Sequence, residues 1–216
     1  IVTISPDDDR RASSSPLAPT ATRPLARASI VTPGDWIELD LDPATRHTSV
    51  RRAVRQAVVR SRSLAPDAVG LIRMLDRTSK QAIESGAFYC ASRVIEDATG
   101  GVFVATVLMQ VCRSTLTQPP GSPILRASER CAGIAAAFNK DPGWAGGNIS
   151  VVPLPYAGPA VRLHIQHSAI IVQYFVPLVG GIADAVLTFS CPCPPYASVV
   201  TELFDNMAEG LVLHYE

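Results

Sequence analysis

The chain lacks an excess of charge of either sign. Lysine and arginine together number 19, aspartate and glutamate also number 19, and the formal net charge at pH 7 is zero. A protein without a net field has no general attraction to nucleic acid or to an anionic membrane surface. Nucleic acid is therefore not expected as a partner. Lysine itself is scarce, because every basic residue except Lys80 and Lys140 is an arginine.

A long uninterrupted hydrophobic segment is also missing, although 47% of the 216 residues are hydrophobic. The most apolar stretch, residues 169–187, is broken by polar residues, proline and glycine, among them Pro177 and Asp184. A membrane-spanning helix needs about 20 mostly apolar residues in succession. No membrane span is predicted, and the hydrophobic residues suffice for one domain with a full core.

The familiar motifs for nucleophilic catalysis, phosphate binding and dinucleotide binding are absent as well. The cysteines are odd in number and lack zinc-finger spacing, so neither a disulfide framework nor a structural metal is predicted. They are Cys90, Cys112, Cys131, Cys191 and Cys193. This cysteine usage favours the reducing cytoplasm. Because the chain begins at Ile1 rather than Met, an upstream signal peptide and a secreted location stay open.

Two pairs of reactive side chains offer weaker alternatives. Cys191 and Cys193 precede the last predicted helix, whose dipole would lower a thiol pKa. His164 and His167 stand three residues apart, which on a strand places them on opposite faces, and a zinc site needs three or four ligands. The simpler interpretation is that the cysteines belong to a proline-rich turn between a strand and a helix, and that the histidines occupy ordinary surface positions. We predict no catalytic residue, no metal and no cofactor.

Residues 1–34 differ in composition from the rest of the chain. They are rich in proline and serine, contain the acidic triplet Asp7, Asp8 and Asp9, and have almost no aromatic residue to bury. Such a segment cannot offset its ordering entropy with a core of its own. The sequence therefore predicts an extended arm over residues 1–34 and a single domain over residues 35–216.

Hydrophobic patterning in the domain predicts the α+β class. Strict alternation over residues 35–42 predicts a strand, with the carboxylates of Glu38, Asp40 and Asp42 on one face. Two interpretations of these carboxylates are open: a site for a divalent cation, or, more simply, charges that keep an exposed edge strand from aggregating. Two helices follow, over residues 45–62 and after Pro66. The remaining pattern predicts a hairpin over residues 87–111, a helix over 123–139, strands over 149–154, 160–166, 170–178 and 185–190, and a last helix over 196–211.

Successive strands with tight connections form an antiparallel meander, so we expect a sheet of about six strands packed by helices. In the last helix, an apolar repeat every four residues predicts the buried face. Its members are Val199, Leu203, Met207 and Leu211.

The first helix carries the strongest concentration of one charge. Arg51, Arg55 and Arg62 share a face at helical spacing, with Arg52 beside them. No aromatic platform accompanies them, as nucleic-acid binding would require. A solvated surface is the plainest interpretation, and an acidic protein partner is the best functional one. The Asp7–Asp9 triplet of the same or another copy is such a partner.

Several strings in the domain resemble a group of actinobacterial proteins with a PsbP-like α/β sandwich. The strings are residues 34–36 (Gly-Asp-Trp), 156–162 (Tyr-Ala-Gly-Pro-Ala-Val-Arg), 172–177 (Val-Gln-Tyr-Phe-Val-Pro), 187–190 (Leu-Thr-Phe-Ser) and 203–205 (Leu-Phe-Asp). The resemblance implies an accessory or binding role associated with type VII secretion. The arm is not covered by it.

These observations favour a non-enzymatic protein-interaction or assembly module. Its hypothetical binding residues are those of the acidic triplet and the first helix: Asp7, Asp8, Asp9, Arg51, Arg52, Arg55 and Arg62. A small-ligand or lipid-binding domain, using a cleft between sheet and helices, is the alternative. A metal- or thiol-dependent enzyme is the third.

Overall fold

The computed structural model describes residues 2–4, 25–96, 100–114, 116, 125–144 and 146–216. These residues build an antiparallel sheet of seven strands in the order β3-β4-β5-β9-β8-β7-β6, and a second sheet of three strands in the order β1-β2-β10. The α+β class is confirmed. The strands are β1 Val2–Ile4, β2 Leu25–Ile30, β3 Ile37–Glu38, β4 Ala87–Glu96, β5 Val102–Arg113, β6 Asn148–Leu154, β7 Gly158–Gln166, β8 Ile170–Pro177, β9 Ala183–Cys191 and β10 Val212–Tyr215.

Helices cover both faces of the large sheet. The helices are α1 Arg46–Arg60, α2 Ala68–Glu84, α3 Ala127–Lys140 and α4 Ala197–Glu209. Alternate residues of each strand face opposite sides, so the pairing register sorts the core into two layers. One layer lies beneath α1, α2 and α3, and the other lies beneath α4 and the small sheet.

Two separate clusters make up the layer beneath the first three helices. Val50 of α1 and Leu75 of α2 are fully buried against Cys90 of β4. At the other end of the sheet, Phe138 of α3 packs edge-on against Phe175 of β8, with ring centres 4.7 Å apart. Each fully buried side chain of this size contributes about 1.5–3 kcal/mol through burial. The buried residues Val50, Val54 and Ala57 recur at helical spacing along α1, and Val58 beside them is partly buried.

The buried face of α4 agrees only in part with its prediction: Met207 is buried and Leu203 packs against the core, but Val199 does not. Val199 is 66% exposed, whereas Val200 and Phe204 are buried, and Phe204 stacks on Phe189 of β9 at 4.9 Å. The predicted repeat every four residues drifts around a helix of 3.6 residues per turn. Leu211 is buried, but it lies beyond the helix and leads into β10.

The predicted strand over residues 35–42 is much shorter in the structure. Only Ile37 and Glu38 form β3, and the amide of Leu39 adds one bond to the Cys90 carbonyl at 2.9 Å. The carboxylates of Asp40 and Asp42 then accept backbone amides two residues ahead, each at 2.9 Å. These side-chain turns end the strand and lead into α1.

Part of the predicted arm belongs to a sheet. Residues 25–30, inside the 1–34 segment, form β2, which pairs with β10 from the other end of the chain, Ala28 opposite Leu213. Ala28 and Ile30 are buried in the core. Asp7, Asp8 and Asp9 lie outside the described residues. Within the described part of the chain, no helix is both long enough and apolar enough to cross a membrane.

Candidate functional site

The outer side of the α1–α2 pair is a cationic surface, here called the arginine surface. The arginines that form this surface are all exposed, and α1 contains no acidic residue to offset their positive charge. Its members are Arg51, Arg52, Arg55 and Arg60 of α1, Arg62 of the following turn, and Arg73 and Arg77 of α2. The structure places Arg51, Arg52 and Arg55 on α1 and Arg62 in the turn that follows it, and all four are exposed.

Arg62 is not on the helical face that the spacing predicted. α1 ends at Arg60, Ser61 is extended, and Arg62 opens a short 3-10 turn over Arg62–Leu64. The predicted line from Arg51 through Arg55 therefore continues to Val59, which is 78% exposed. The surface combines cationic and apolar side chains along α1.

Most of these arginines have no structural partner in the described residues. Arg46, at the start of α1, pairs with Asp76 of α2 at 3.3 Å, and Arg51 Nε donates to His47 Nε2 at 3.1 Å. Five further arginines of the arginine surface form no ion pair and no side-chain hydrogen bond with a described residue. These are Arg55, Arg60, Arg62, Arg73 and Arg77.

A small cavity of about 250 Å³ lies where α1 passes the edge strand β3. Arg52, Gln56 and Arg60 line it from successive turns of α1. Trp36, Ile37 and Glu38 line it from the edge of the sheet. The Trp36 side chain, which is 8% exposed, packs in the core layer beneath the small sheet, and its indole Nε1 is buried without an acceptor. A second cavity, of about 380 Å³, adjoins it and shares Glu38, Ser49 and Arg52.

The carboxylates predicted as a possible cation site are engaged locally. Asp40 accepts the Thr45 hydroxyl and the Asp42 amide, and these bonds hold the pKa of Asp40 below its usual value. Glu38 instead has a raised pKa, caused first by burial and then by Asp40. Among the described residues, no three histidine, cysteine, aspartate or glutamate side chains are placed to hold one metal ion.

The structure places the cysteine and histidine pairs as follows. Cys191 and Cys193 are buried, and burial raises the pKa of Cys191 to about 11, which keeps the thiol protonated. α4 begins only at Ala197, after a 3-10 turn over Pro194–Tyr196, so neither cysteine is in its first turn. His164 lies on β7, whereas His167 lies exposed in the turn after it.

Beside α4 lies a polar groove that local sequence patterns did not indicate. Arg162 of β7 donates from Nε and Nη2 to the two carboxylate oxygens of Asp205 at 2.9 and 3.0 Å, and the Tyr174 hydroxyl donates to the same carboxylate. Burial, and next Asp205, raise the pKa of Tyr174. Cavities of about 390 and 530 Å³ flank this ion pair. This is the kind of cleft that a small-ligand domain needs, and that function stays a prediction.

Arg162 and Asp205 both occur in the strings that carried the PsbP-like resemblance, but the strings gave no sign that the two residues pair across 43 positions. In comparisons with known proteins, no family model matches this chain and no curated protein is significantly similar to it.

Proposed function

We propose that this protein is a non-enzymatic assembly module in which the arginine surface binds an acidic segment, Asp7–Asp9, of a second copy. The observation that carries the proposal is a set of exposed arginines on α1 and α2 that pair with no described residue. Exposed like charges repel one another and cost stability. Binding of a ligand of opposite charge offsets this repulsion.

The zero net charge supports self-association over a strongly charged external polymer. The arginines gather on one side of the domain, while three successive carboxylates gather at Asp7–Asp9. Opposite patches on one chain attract two copies at moderate salt without attracting every polyanion. Apolar side chains among the arginines, such as Val59 and Val69, add contact area for a segment that lies on the helices.

Chain lengths favour the arm of another copy over that of the same copy. β1 ends at Ile4, and Asp9 follows five residues later, so the triplet reaches at most about 17 Å from Ile4. The small sheet that contains β1 covers the face opposite α1. Packed layers are about 10 Å apart, which puts the outer side of α1 roughly 25 Å away. Reciprocal binding of two arms then gives a two-fold dimer.

The test is sedimentation velocity on the full chain and on two charge variants. Arg51→Gln/Arg55→Gln/Arg62→Gln removes three charges from the arginine surface. The matched control, Arg27→Gln/Arg113→Gln/Lys140→Gln, removes three exposed charges elsewhere. Each exposed pair is worth about 0.2–1 kcal/mol, so the first variant should weaken the dimer about tenfold or more and the control should leave it unchanged.

A third variant, Asp7→Asn/Asp8→Asn/Asp9→Asn, should weaken the dimer to the same extent as loss of the arginines. Association should also disappear in about 1 M salt, where the screening length is about 3 Å. Truncation must stop at residue 24, because removal of Leu25–Ile30 takes two buried residues from the core. A full chain that stays monomeric at all concentrations, with or without residues 1–24, contradicts the proposal.

A reducing location is part of the proposal. All five cysteines are free, and Cys90, Cys131, Cys191 and Cys193 are buried as thiols. Free buried thiols suit the cytoplasm, where disulfides are rare. The secretion-associated accessory role rests on the sequence strings alone, and it is compatible with an assembly function.

A further inference from the structure

We propose that the outer edge of β6, together with the polar groove beside α4, binds an extended basic segment of another protein, which adds to the large sheet as an eighth strand. Such a segment alternates basic and apolar residues. β6 lies at the opposite end of the sheet from β3, β4 and α1, so the inference does not depend on the arginine surface.

β6 is the least protected edge strand in the described part of the chain. Proteins limit unwanted pairing at a sheet edge by making the edge strand short or charged. At the other end of the large sheet, β3 has two residues and is followed closely by Asp40 and Asp42. The edge strands of the small sheet, β1 and β10, have three and four residues. β6 has seven residues, none of them charged, and no described strand pairs with its outer side.

Two prolines determine which backbone groups of β6 point outward. Pro153 of β6 lies opposite Pro159 of β7, and neither residue has an N–H to exchange. They are therefore a non-hydrogen-bonded pair of the antiparallel ladder, and such pairs alternate with hydrogen-bonded ones along the strands. By the same alternation, Ile149 and Val151 direct their N–H and C=O groups away from β7. An added strand can bond to these groups and to the Pro153 carbonyl.

The two faces of the sheet suit different side chains of an added strand. Ser150 and Val152 line the groove on the α4 side, and Val152 packs against the core layer there. Residues of the added strand that lie opposite them point into the same groove, with Cβ atoms about 5 Å away. The intervening residues lie on the other face, beside Val151, which is 48% exposed. An apolar residue suits that face because it covers Val151.

The charge in the groove favours a basic residue. Asp205 is already neutralised by Arg162, which donates to both of its oxygens. Glu209 lines the same cavity of about 390 Å³, is exposed, and forms no ion pair with a described residue. A lysine or arginine of the added strand supplies the opposite charge, and its apolar stem covers Val152. A second copy of β6 offers no such cation, because residues 148–154 contain no basic residue, so the occupant is a different protein.

The test is amide hydrogen exchange, measured by NMR on the full chain with two synthetic peptides as long as β6. The first peptide alternates lysine and valine, and the second has glutamate in place of each lysine. In the free protein, the amides of Ile149 and Val151 should exchange faster than those of Ser150 and Val152, which bond to β7. The lysine peptide, at about ten times its Kd, should slow exchange at Ile149 and Val151 about tenfold, whereas the glutamate peptide should slow it much less.

Two matched variants test the contribution of the groove. Glu209→Gln removes the unpaired carboxylate and should weaken binding of the lysine peptide about twofold to fivefold, as expected for an exposed ion pair. Glu84→Gln is the control, since Glu84 is likewise an exposed glutamate at the last position of a helix, but in α2 on the other face of the sheet. It should leave the affinity unchanged. Equal weakening by both variants, or by neither, overturns the assignment of the groove.

Three further results overturn the inference. The first is exchange at Ile149 and Val151 that is the same with and without the lysine peptide. The second is equal protection by the lysine and glutamate peptides. The third is protection that rises with protein concentration when no peptide is present, because a second copy then occupies the edge. Amide exchange reports binding at β6 in a monomer and in a dimer alike, so failure of this site and failure of the arginine surface are separate results.

Discussion

The buried ion pair between Arg130 of α3 and Asp184 of β9 gives the sharpest test of how the fold is held together. Arg130 and Asp184 are only 2% and 1% exposed, and Arg130 Nη2 lies 2.7 Å from Asp184 Oδ1. The same guanidinium donates to the carbonyls of Leu178 and Ala183, at 2.8 and 3.3 Å, and to the Ser114 hydroxyl at 3.1 Å. One side chain therefore joins α3 to the β8–β9 turn and to the end of β5.

Arg130→Met keeps an unbranched apolar side chain but removes the charge and the hydrogen-bond donors of the guanidinium group. The carboxylate of Asp184 is then left without its cation in the core, and the Leu178 carbonyl loses its charged donor. Removal of one partner from a buried pair costs about 3–5 kcal/mol, which for a chain of this size lowers Tm by roughly 6–20 °C. Chemical and thermal unfolding followed by circular dichroism measure both quantities.

A double-mutant cycle tests the cause. Asp184→Asn should destabilise the native protein by several kcal/mol, because it leaves the Arg130 cation uncompensated. In the Arg130→Met background the same change should restore stability, since it removes the stranded negative charge. A loss below about 1 kcal/mol for Arg130→Met refutes the reasoning. So does an Asp184→Asn change that is equally harmful in both backgrounds.

Three further predictions concern the core. Phe204→Ala should cost about 3–5 kcal/mol and Val199→Ala less than about 0.5 kcal/mol in urea unfolding, and the reverse order contradicts the observed face of α4. Burial raises the pKa of Tyr89 to about 12 from an unfolded value near 10. The folded state then keeps a proton that the unfolded state loses, so Tyr89 contributes up to about 3 kcal/mol to a fall in stability between pH 10 and 12. Tyr89→Phe should make this fall less steep in pH-dependent unfolding, while Tyr174 and the buried thiols, whose pKa values are also raised, continue to contribute to it. Under native conditions a thiol reagent should label Cys112 first and the four buried cysteines only after unfolding, and rapid labelling of Cys191 contradicts its burial.

Local periodicity was sufficient for those parts of the fold whose pattern is short in sequence. The meander β6-β7-β8-β9 and the buried positions of α1 follow from alternation and helical spacing within single elements. The face of α4 followed only in part: Met207 is buried as predicted, whereas Val199 is exposed and its neighbour Val200 is buried instead. A repeat of four residues does not keep to one face of a helix with 3.6 residues per turn.

Long-range pairing explains what the sequence did not indicate. β2 lies in a proline-rich segment, so its alternation of buried and exposed residues was not recognised as a strand. This segment is a strand because β10, about 185 residues later, pairs with it. The small cavity beside β3 likewise joins Trp36, which precedes β3, to Arg60 at the end of α1. Arg130 and Asp184 are 54 positions apart, and the available signal was one aspartate within an apolar stretch. Such a residue needs a cation in the core, but the sequence does not say which one.

The way in which the structure uses its arginines connects the fold to the proposed function. Arginine is the residue best suited to a buried ion pair, since its planar group satisfies several acceptors at once, as Arg130 and Arg162 do. Arg46 and Arg93 pair with Asp76 and Asp35 nearer the surface. The exposed arginines at the end of α1 and along α2 have no such partner among the described residues, and replacing them should cost little stability. If the sedimentation experiment shows that they are nonetheless required for association, their role is binding rather than folding.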